Sequence, residues 1–182
     1  MSAQPAPTQE LRKIDQQELD AICAKHDRLW TSKPGGARAV FSWKDLTGLD
    51  LRGKNLCDAD LTGAILANCQ MQGIRLDHAN LFGADLQGAD MTDASLRRAD
   101  LRAACLRGAN LTGADLFEAD LREGAIAVGD RDKGLRVLEH VNRVGEASGA
   151  ILAGANLERS RLSGIMAIKA DFSDAILKDA KL

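Results

Sequence analysis

Residues 79–91 read ANLFGADLQGADM, and large apolar residues recur there at Leu81, Leu86 and Met91. The beat is five residues long. Neither a helix of period 3.6 nor a strand of period 2 keeps such a series on one face. The series runs well beyond this stretch. Leu46, Leu51, Leu56, Leu61, Leu66, Met71 and Leu76 precede it, and Leu96, Leu101, Leu106, Leu111, Leu116, Leu121 and Ile126 follow. The place two before each centre is Ala in every repeat from Ala79 to Ala119. The place just before is mostly Asp or Asn, and Gly is common two places after, as at Gly48, Gly63, Gly83 and Gly113.

Alternation within each five puts the centre and the small residue on one side and the polar residues opposite. Gly, Asp and Asn tolerate turn conformations that strain other residues, so each five ends in a bend. A chain that turns the same way after every short extended piece coils into a tube. Successive coils then pair their backbones about 4.8 Å apart and stack Leu on Leu and Ala on Ala inside. The period alone leaves the number of sides per coil open.

The A-(D/N)-L-x-x pattern, seen in ADLTGA (59–64), ANLFGADLQGADM and ANLTGADLFEADL (109–121), resembles the pentapeptide-repeat family. The resemblance covers 44–128 and resumes at 150–182. It implies an all-β solenoid, a right-handed quadrilateral β-helix with about twenty residues per coil. The register resumes at Leu152, Leu157, Leu162, Ala167, Phe172, Leu177 and Leu182, after an insertion of 21 residues. With four sides per coil the two arrays make about six coils and a rod roughly 29 Å long. Leu49, Lys54 and Ile74 occupy the small inward position, which predicts irregular first coils. Ile165 and Ala167 exchange the large and small roles, which nearly conserves volume.

Two segments break the beat. In the arm 1–43, residues 8–30 predict a helix with Leu11, Ile14, Ile22 and Leu29 on one stripe, stopped by SKPGG at 32–36. An open tube end exposes unpaired backbone. The helix, with Trp30, Phe41 and Trp43, is expected to cap the first coil rather than serve as a partner-binding arm. The insertion, 129–149, carries a second helix candidate near 131–144. Its apolar stripe is Val137, Leu138, Val141 and Val144, and Arg136, Glu139, His140 and Arg143 would face water. It either lies on the outside of the coil or protrudes as a recognition element.

Composition narrows the function. Apolar residues make up 45% but aromatics only 3%, with no Tyr, which suits a narrow and regular interior. The 24 Lys and Arg balance 26 Asp and Glu, for a formal charge of −2, so direct nucleic-acid binding is not expected. Cys23, Cys57, Cys69 and Cys105 are scattered and far from metal-ligand spacing, which reads as free thiols in a reducing compartment. There is no apolar leader and no run of about 18 apolar residues, so a soluble, cytoplasmic protein without membrane contact is expected.

No catalytic, cofactor-binding or metal constellation emerges. The aspartates follow the repeat, and His26, His78 and His140 read as solvated surface residues. The chain is therefore expected not to be an enzyme. One surface feature stands out. Arg97, Arg98, Arg102, Arg107 and Arg122 crowd outward positions, and four-sided coils would put Arg102 beneath Arg122 and above Phe82, with Arg97 below Phe117. Asp93, Asp100, Asp115, Glu118 and Glu123 are interleaved, so a solvated face of mixed charge is the plain structural alternative. The candidate partner-binding residues are these five arginines, Phe82, Phe117, and Arg136, Glu139, His140 and Arg143 of the insertion.

The expected function is a non-catalytic rigid scaffold or adaptor for protein–protein interaction. The alternative implied by the family is a DNA-mimicking modulator of a type II topoisomerase, like the quinolone-resistance pentapeptide proteins. The arginines stand where a mimic needs negative potential. At the C-terminus LKDAKL (177–182) ends on a repeat centre. An uncovered coil of this kind invites an end-to-end homodimer, or more sequence in the natural protein.

Overall fold

The computed structural model describes residues 11–124, 127–130, 134–137 and 145–182. Its frame is a set of parallel bridges. Val40 pairs with Asp60, Asp60 with Asn80, Asn80 with Asp100 and Asp100 with Asp120, each step twenty residues long. Three more ladders run beside this one, through Asp45–Ile65–Asp85–Cys105, Asp50–Gln70–Asp90–Asn110 and Asn55–Arg75–Ser95–Asp115. Four ladders make four sides, with one repeat supplying each. Faces A, B, C and D are named here by their first ladder residues, Val40, Asp45, Asp50 and Asn55.

From Trp43 to Glu118 the residue two after each centre turns the corner with positive φ. Gly63, Gly73 and Gly83 do so at 61°, 63° and 65°, but His78, Arg98 and Glu118 also adopt 58°, 56° and 57°. The Asp and Asn preference has a direct cause. Oδ1 of Asp60, Asn80, Asp90 and Asn110 each accepts the backbone N–H two residues on, at 3.1 Å. Short polar side chains thus fix the path into each corner.

Inside, the leucine centres from Leu46 to Leu162 and the alanines two before them are buried. Phe41 is fully buried as well and takes a centre one repeat ahead of Leu46, so the coil begins before residue 44. The expected irregularity of the first coils does not occur. Ile74 is fully buried, Leu49 packs on the core, and the Asp50–Gln70 and Asn55–Arg75 bridges keep the spacing. At the end coil no preceding coil crowds the small position, and Lys54 reaches Asp20 of the cap at 2.7 Å.

The cap consists of β1 (Arg12–Lys13) and α1 (Gln16–Trp30). Strand β1 pairs in parallel with β2 (Lys44–Asp45), over face B. The helix begins at Gln16 and not at residue 8, because the Asp15 carboxylate accepts the Glu18 N–H at 2.8 Å and caps it. Residues 8–10 lie outside the described residues. The buried stripe is Leu19, Cys23 and His26. Of the stripe expected from sequence, Ile14 is buried from beside β1, Ile22 is partly buried, and Leu29 is exposed.

After Leu121 the bridge spacing lengthens to forty-one: Cys105 pairs with Glu146, Asn110 with Ile151, Asp115 with Asn156 and Asp120 with Arg161. Twenty returns with Glu146–Met166. The 21-residue insertion is therefore as counted, but its position shifts. Ala147, buried, fills the slot that the count gave to Ile126, and the Leu106 N–H donates to the Glu146 carbonyl at 2.6 Å. Ile126 itself lies outside the described residues.

Within the insertion, β3 (Ala127–Asp130) and β4 (Gly134–Val137) pair antiparallel, Ala127 with Val137 and Asp130 with Gly134. The helix expected near 131–144 is thus a strand over 134–137, and 138–144 lie outside the described residues. Both paired runs contain Val, a β-branched residue that favours strand. Further on, Leu152, Leu157 and Leu162 are buried, Phe172 is half-buried, and Leu177 and Leu182 are exposed at the final coil.

Candidate functional site

Faces D and A meet at the corner carrying His78, Arg98 and Glu118. The outward position after each centre runs Asp77, Arg97, Phe117 on face D and Thr62, Phe82, Arg102, Arg122 on face A. Because bridged coils hold equivalent residues in columns, neighbours in a column must touch. The Arg97 guanidinium lies 4.7 Å from the Phe117 ring centroid, and Arg159 approaches the same ring at 5.9 Å. Arg102 lies 5.4 Å from the Phe82 centroid. These are cation–π distances.

Each of these cations also has an anion. Arg97 reaches Asp115 at 2.6 Å, while Arg98–Glu118, Arg102–Asp100 and Arg122–Asp120 are all at 2.7 Å. Glu118 further meets Arg159 at 3.5 Å, and Asp120 meets Arg161 at 3.6 Å. The hydrogen bond from Arg98, joined by Arg159, holds the Glu118 carboxyl below its usual range. Asp115 and Asp100 raise Arg97 and Arg102 in turn. Long side chains held this way lose less rotamer freedom when a partner covers them.

Phe82, Arg97, Arg98, Arg102, Phe117 and Arg122 are therefore brought to one corner. Arg107 is not among them; it sits on face B, 3.9 Å from Glu146. Arg136 belongs to β4, paired through its backbone with Val128. Glu139, His140 and Arg143 lie outside the described residues. Sequence reasoning missed Arg159 and Arg161. The signal was present: adding forty-one rather than twenty to Glu118 and Asp120 points to Arg159 and Arg161.

Two of the expected surface histidines are described, and they differ. His78 is exposed at the corner. His26 is fully buried, which corrects the sequence reading. The Ala39 N–H donates to its Nδ1 at 3.1 Å, and its Nε2 lies 3.0 Å from the Cys57 carbonyl and 3.2 Å from Trp30 Nε1. The four cysteines are buried and form no disulfide among the described residues, and burial pushes the Cys23 and Cys69 thiols up to about 11. Among the described residues no group of His, Cys, Asp and Glu is placed to hold a metal ion. No described helix is long and apolar enough to cross a membrane.

The model of the family described as pentapeptide repeats matches in eight copies, over residues 39–77, 66–98, 74–113, 94–124 and 148–182. The chain belongs to the pentapeptide-repeat family. As a pentapeptide-repeat protein it folds as a right-handed quadrilateral β-helix. It is similar to a pentapeptide-repeat protein of the Arabidopsis thaliana thylakoid lumen, at 30% identity and a TM-score of 0.50 over 63% of this chain. It spans 65% of that protein's chain, less than two thirds. It is 31% identical to HetL, a protein involved in heterocyst differentiation regulation in the cyanobacterium Nostoc, with a TM-score of 0.46 over 80% of this chain and 69% of that one. QnrB1, a plasmid-mediated fluoroquinolone resistance protein, is 19% identical with a TM-score of 0.37, over 78% of this chain and 72% of that one. No curated protein matches the chain at a significant level.

Proposed function

We propose that this pentapeptide-repeat protein is a non-catalytic scaffold or adaptor that presents the corner of faces D and A to a protein partner. The observation that carries the reading is Phe117, held between Arg97 and Arg159 while Glu118 ties Arg98 to Arg159. Aromatic and arginine side chains dominate interface energetics when they are pre-positioned and then desolvated. The rigid ladder fixes their spacing along the rod. The final coil, with Phe172, Leu177 and Leu182, is read as a second contact surface through which two copies associate end to end.

Affinity capture with the wild type, with Phe82→Ala/Phe117→Ala and with a chain lacking 129–148 tests the reading. Loss of a specific partner from the aromatic variant is expected. A partner set unchanged in both variants would overturn it. The topoisomerase alternative needs continuous uncompensated negative charge, and at this corner Asp100, Asp115, Glu118 and Asp120 are all matched by arginines. A gyrase supercoiling assay with a quinolone separates the two, with no protection expected at about micromolar protein.

A further inference from the structure

Among the described residues no full coil lies above the first one, so the outward N–H and C=O groups of its ladder residues need other partners. On face B strand β1 supplies them: the Ile14 N–H donates to the Asp45 carbonyl at 3.0 Å. On face C a single side chain does. The Gln16 amide accepts the Asp50 N–H at 2.9 Å and donates to the Asp50 carbonyl at 2.8 Å. On face D the Asn55 backbone N–H and C=O take no hydrogen bond among the described residues, but Asn55 is half-buried and His26 meets the nearby Cys57 carbonyl. Face A differs in exposure. Val40 is 46% exposed, and its backbone N–H and C=O take no hydrogen bond among the described residues.

The surroundings of this open edge are apolar and basic. Trp30 packs edge-on against His26, whose Nδ1 takes the N–H of Ala39, the residue before Val40. Leu29 and Trp30 are 48% and 47% exposed. The segment after α1 folds back on the helix, with the Lys33 N–H on the Arg28 carbonyl and the Ala37 N–H on the Lys25 carbonyl. That fold-back gathers Lys25, Arg28, Lys33 and Arg38 around the C-terminal half of α1, with Asp27 the acid within that segment. None of the four makes an ion pair among the described residues, whereas Arg97, Arg98, Arg102, Arg107 and Arg122 all do.

We infer that the face A edge at Val40 is a docking site for an extended acidic segment of a partner protein. The segment adds as a strand on the Val40 backbone, seats an apolar side chain against Leu29 and Trp30, and brings carboxylates to Arg28, Lys33 and Arg38. Main-chain bonds to a free edge give such a complex its register, and alternate side chains give it specificity. An N–H and C=O without a hydrogen bond among the described residues select a peptide over a nucleic acid, which has no strand backbone to offer them. Cations without an ion pair among the described residues select an acidic peptide. This site does not depend on the arginine–phenylalanine corner farther along the rod.

The test is fluorescence anisotropy of the full chain with a short labelled peptide of alternating glutamate and valine. Two further peptides, one N-methylated at alternate amides and one of alternating lysine and valine, serve as comparisons. Saturable binding of the first is expected, weakened at least about tenfold by N-methylation and by Lys33→Glu/Arg38→Glu. Amide exchange at Val40 should slow in the complex. The exchanged side chains are exposed, and the N-methylation comparison uses the wild-type chain, so it stands whatever the variants do. Absence of binding at about millimolar peptide would overturn the inference. So would equal binding of the N-methylated or the lysine peptide. Binding that appears only after removal of residues 1–10 would show that the chain's own arm covers the edge, and would overturn it too.

Discussion

The Gln16 side chain replaces a strand residue over Asp50, taking its N–H at 2.9 Å and meeting its carbonyl at 2.8 Å. A primary amide is the side chain that offers both a donor and an acceptor with roughly the span of a peptide group. The helix therefore does more than cover the first coil with apolar surface. It supplies a polar pair to a backbone edge that would otherwise be left unsatisfied.

Gln16→Glu separates this role from simple packing. The carboxylate keeps the acceptor for the Asp50 N–H but has no proton for the Asp50 carbonyl, and it stands beside Asp20 and Asp50. A loss of about 1–3 kcal/mol in urea unfolding is expected. An unchanged midpoint would show that the amide contributes nothing to the cap.

The corners give a second, graded expectation. Gly73 has φ +63° with open space where a Cβ would stand, so Gly73→Ala should cost only the left-handed backbone strain, about 1 kcal/mol. Gly63 has φ +61°, and an added Cβ would lie 2.5 Å from the Trp43 ring. Gly63→Ala should cost about 1–3 kcal/mol more. Equal melting temperatures for the two variants would contradict the Trp43 packing.

Alkaline pH should weaken the fold through its thiols. Cys23 and Cys69 are held protonated up to about 11, by burial first, and Cys69 Sγ donates to the Leu46 carbonyl at 3.0 Å. A thiol in the unfolded chain ionises near about 8.5. The folded state binds these protons more tightly, so the stabilisation is complete below that value and is lost as pH rises toward about 11. The slope should approach about 1.4 kcal/mol per pH unit for each thiol. Denaturation at stepped pH, compared with Cys23→Ala/Cys69→Ala, checks it; parallel curves would rule the thiols out.

End-to-end association makes a third kind of claim, about concentration. Leu177 and Leu182 are 40% and 86% exposed, while Leu157 and Leu162, their equivalents one coil earlier, are buried. Light scattering should show a mass that rises toward a dimer with concentration and stays monomeric in Leu177→Lys. A wild-type mass independent of concentration would sink the idea.

The five-residue beat made the coil, its centres and its columns legible, including Arg102 over Phe82 and Arg97 beside Phe117. Legibility failed where tertiary context chooses among equal local options. The helical period could place either Leu29 or His26 toward the core. Pairing of β1 with face B and the cap at Asp15 set the rotation that buried His26. The insertion's Val137 fits a helical stripe and a strand equally well, and pairing with Ala127 makes it strand. Arg159 and Arg161 escaped because the neighbours of Glu118 and Asp120 were sought one coil away in number rather than across the insertion.

That the bridges jump from twenty to forty-one residues and then return to twenty says something about what this frame measures. It keeps count of corners and is indifferent to chain length between them. Leu121 hands over to Ala147 as if nothing intervened, and Arg159 still finds Phe117. The junction between Gly124 and Gly145 is thus a socket, where segments of differing length can be exchanged while every column on the rod stays in step.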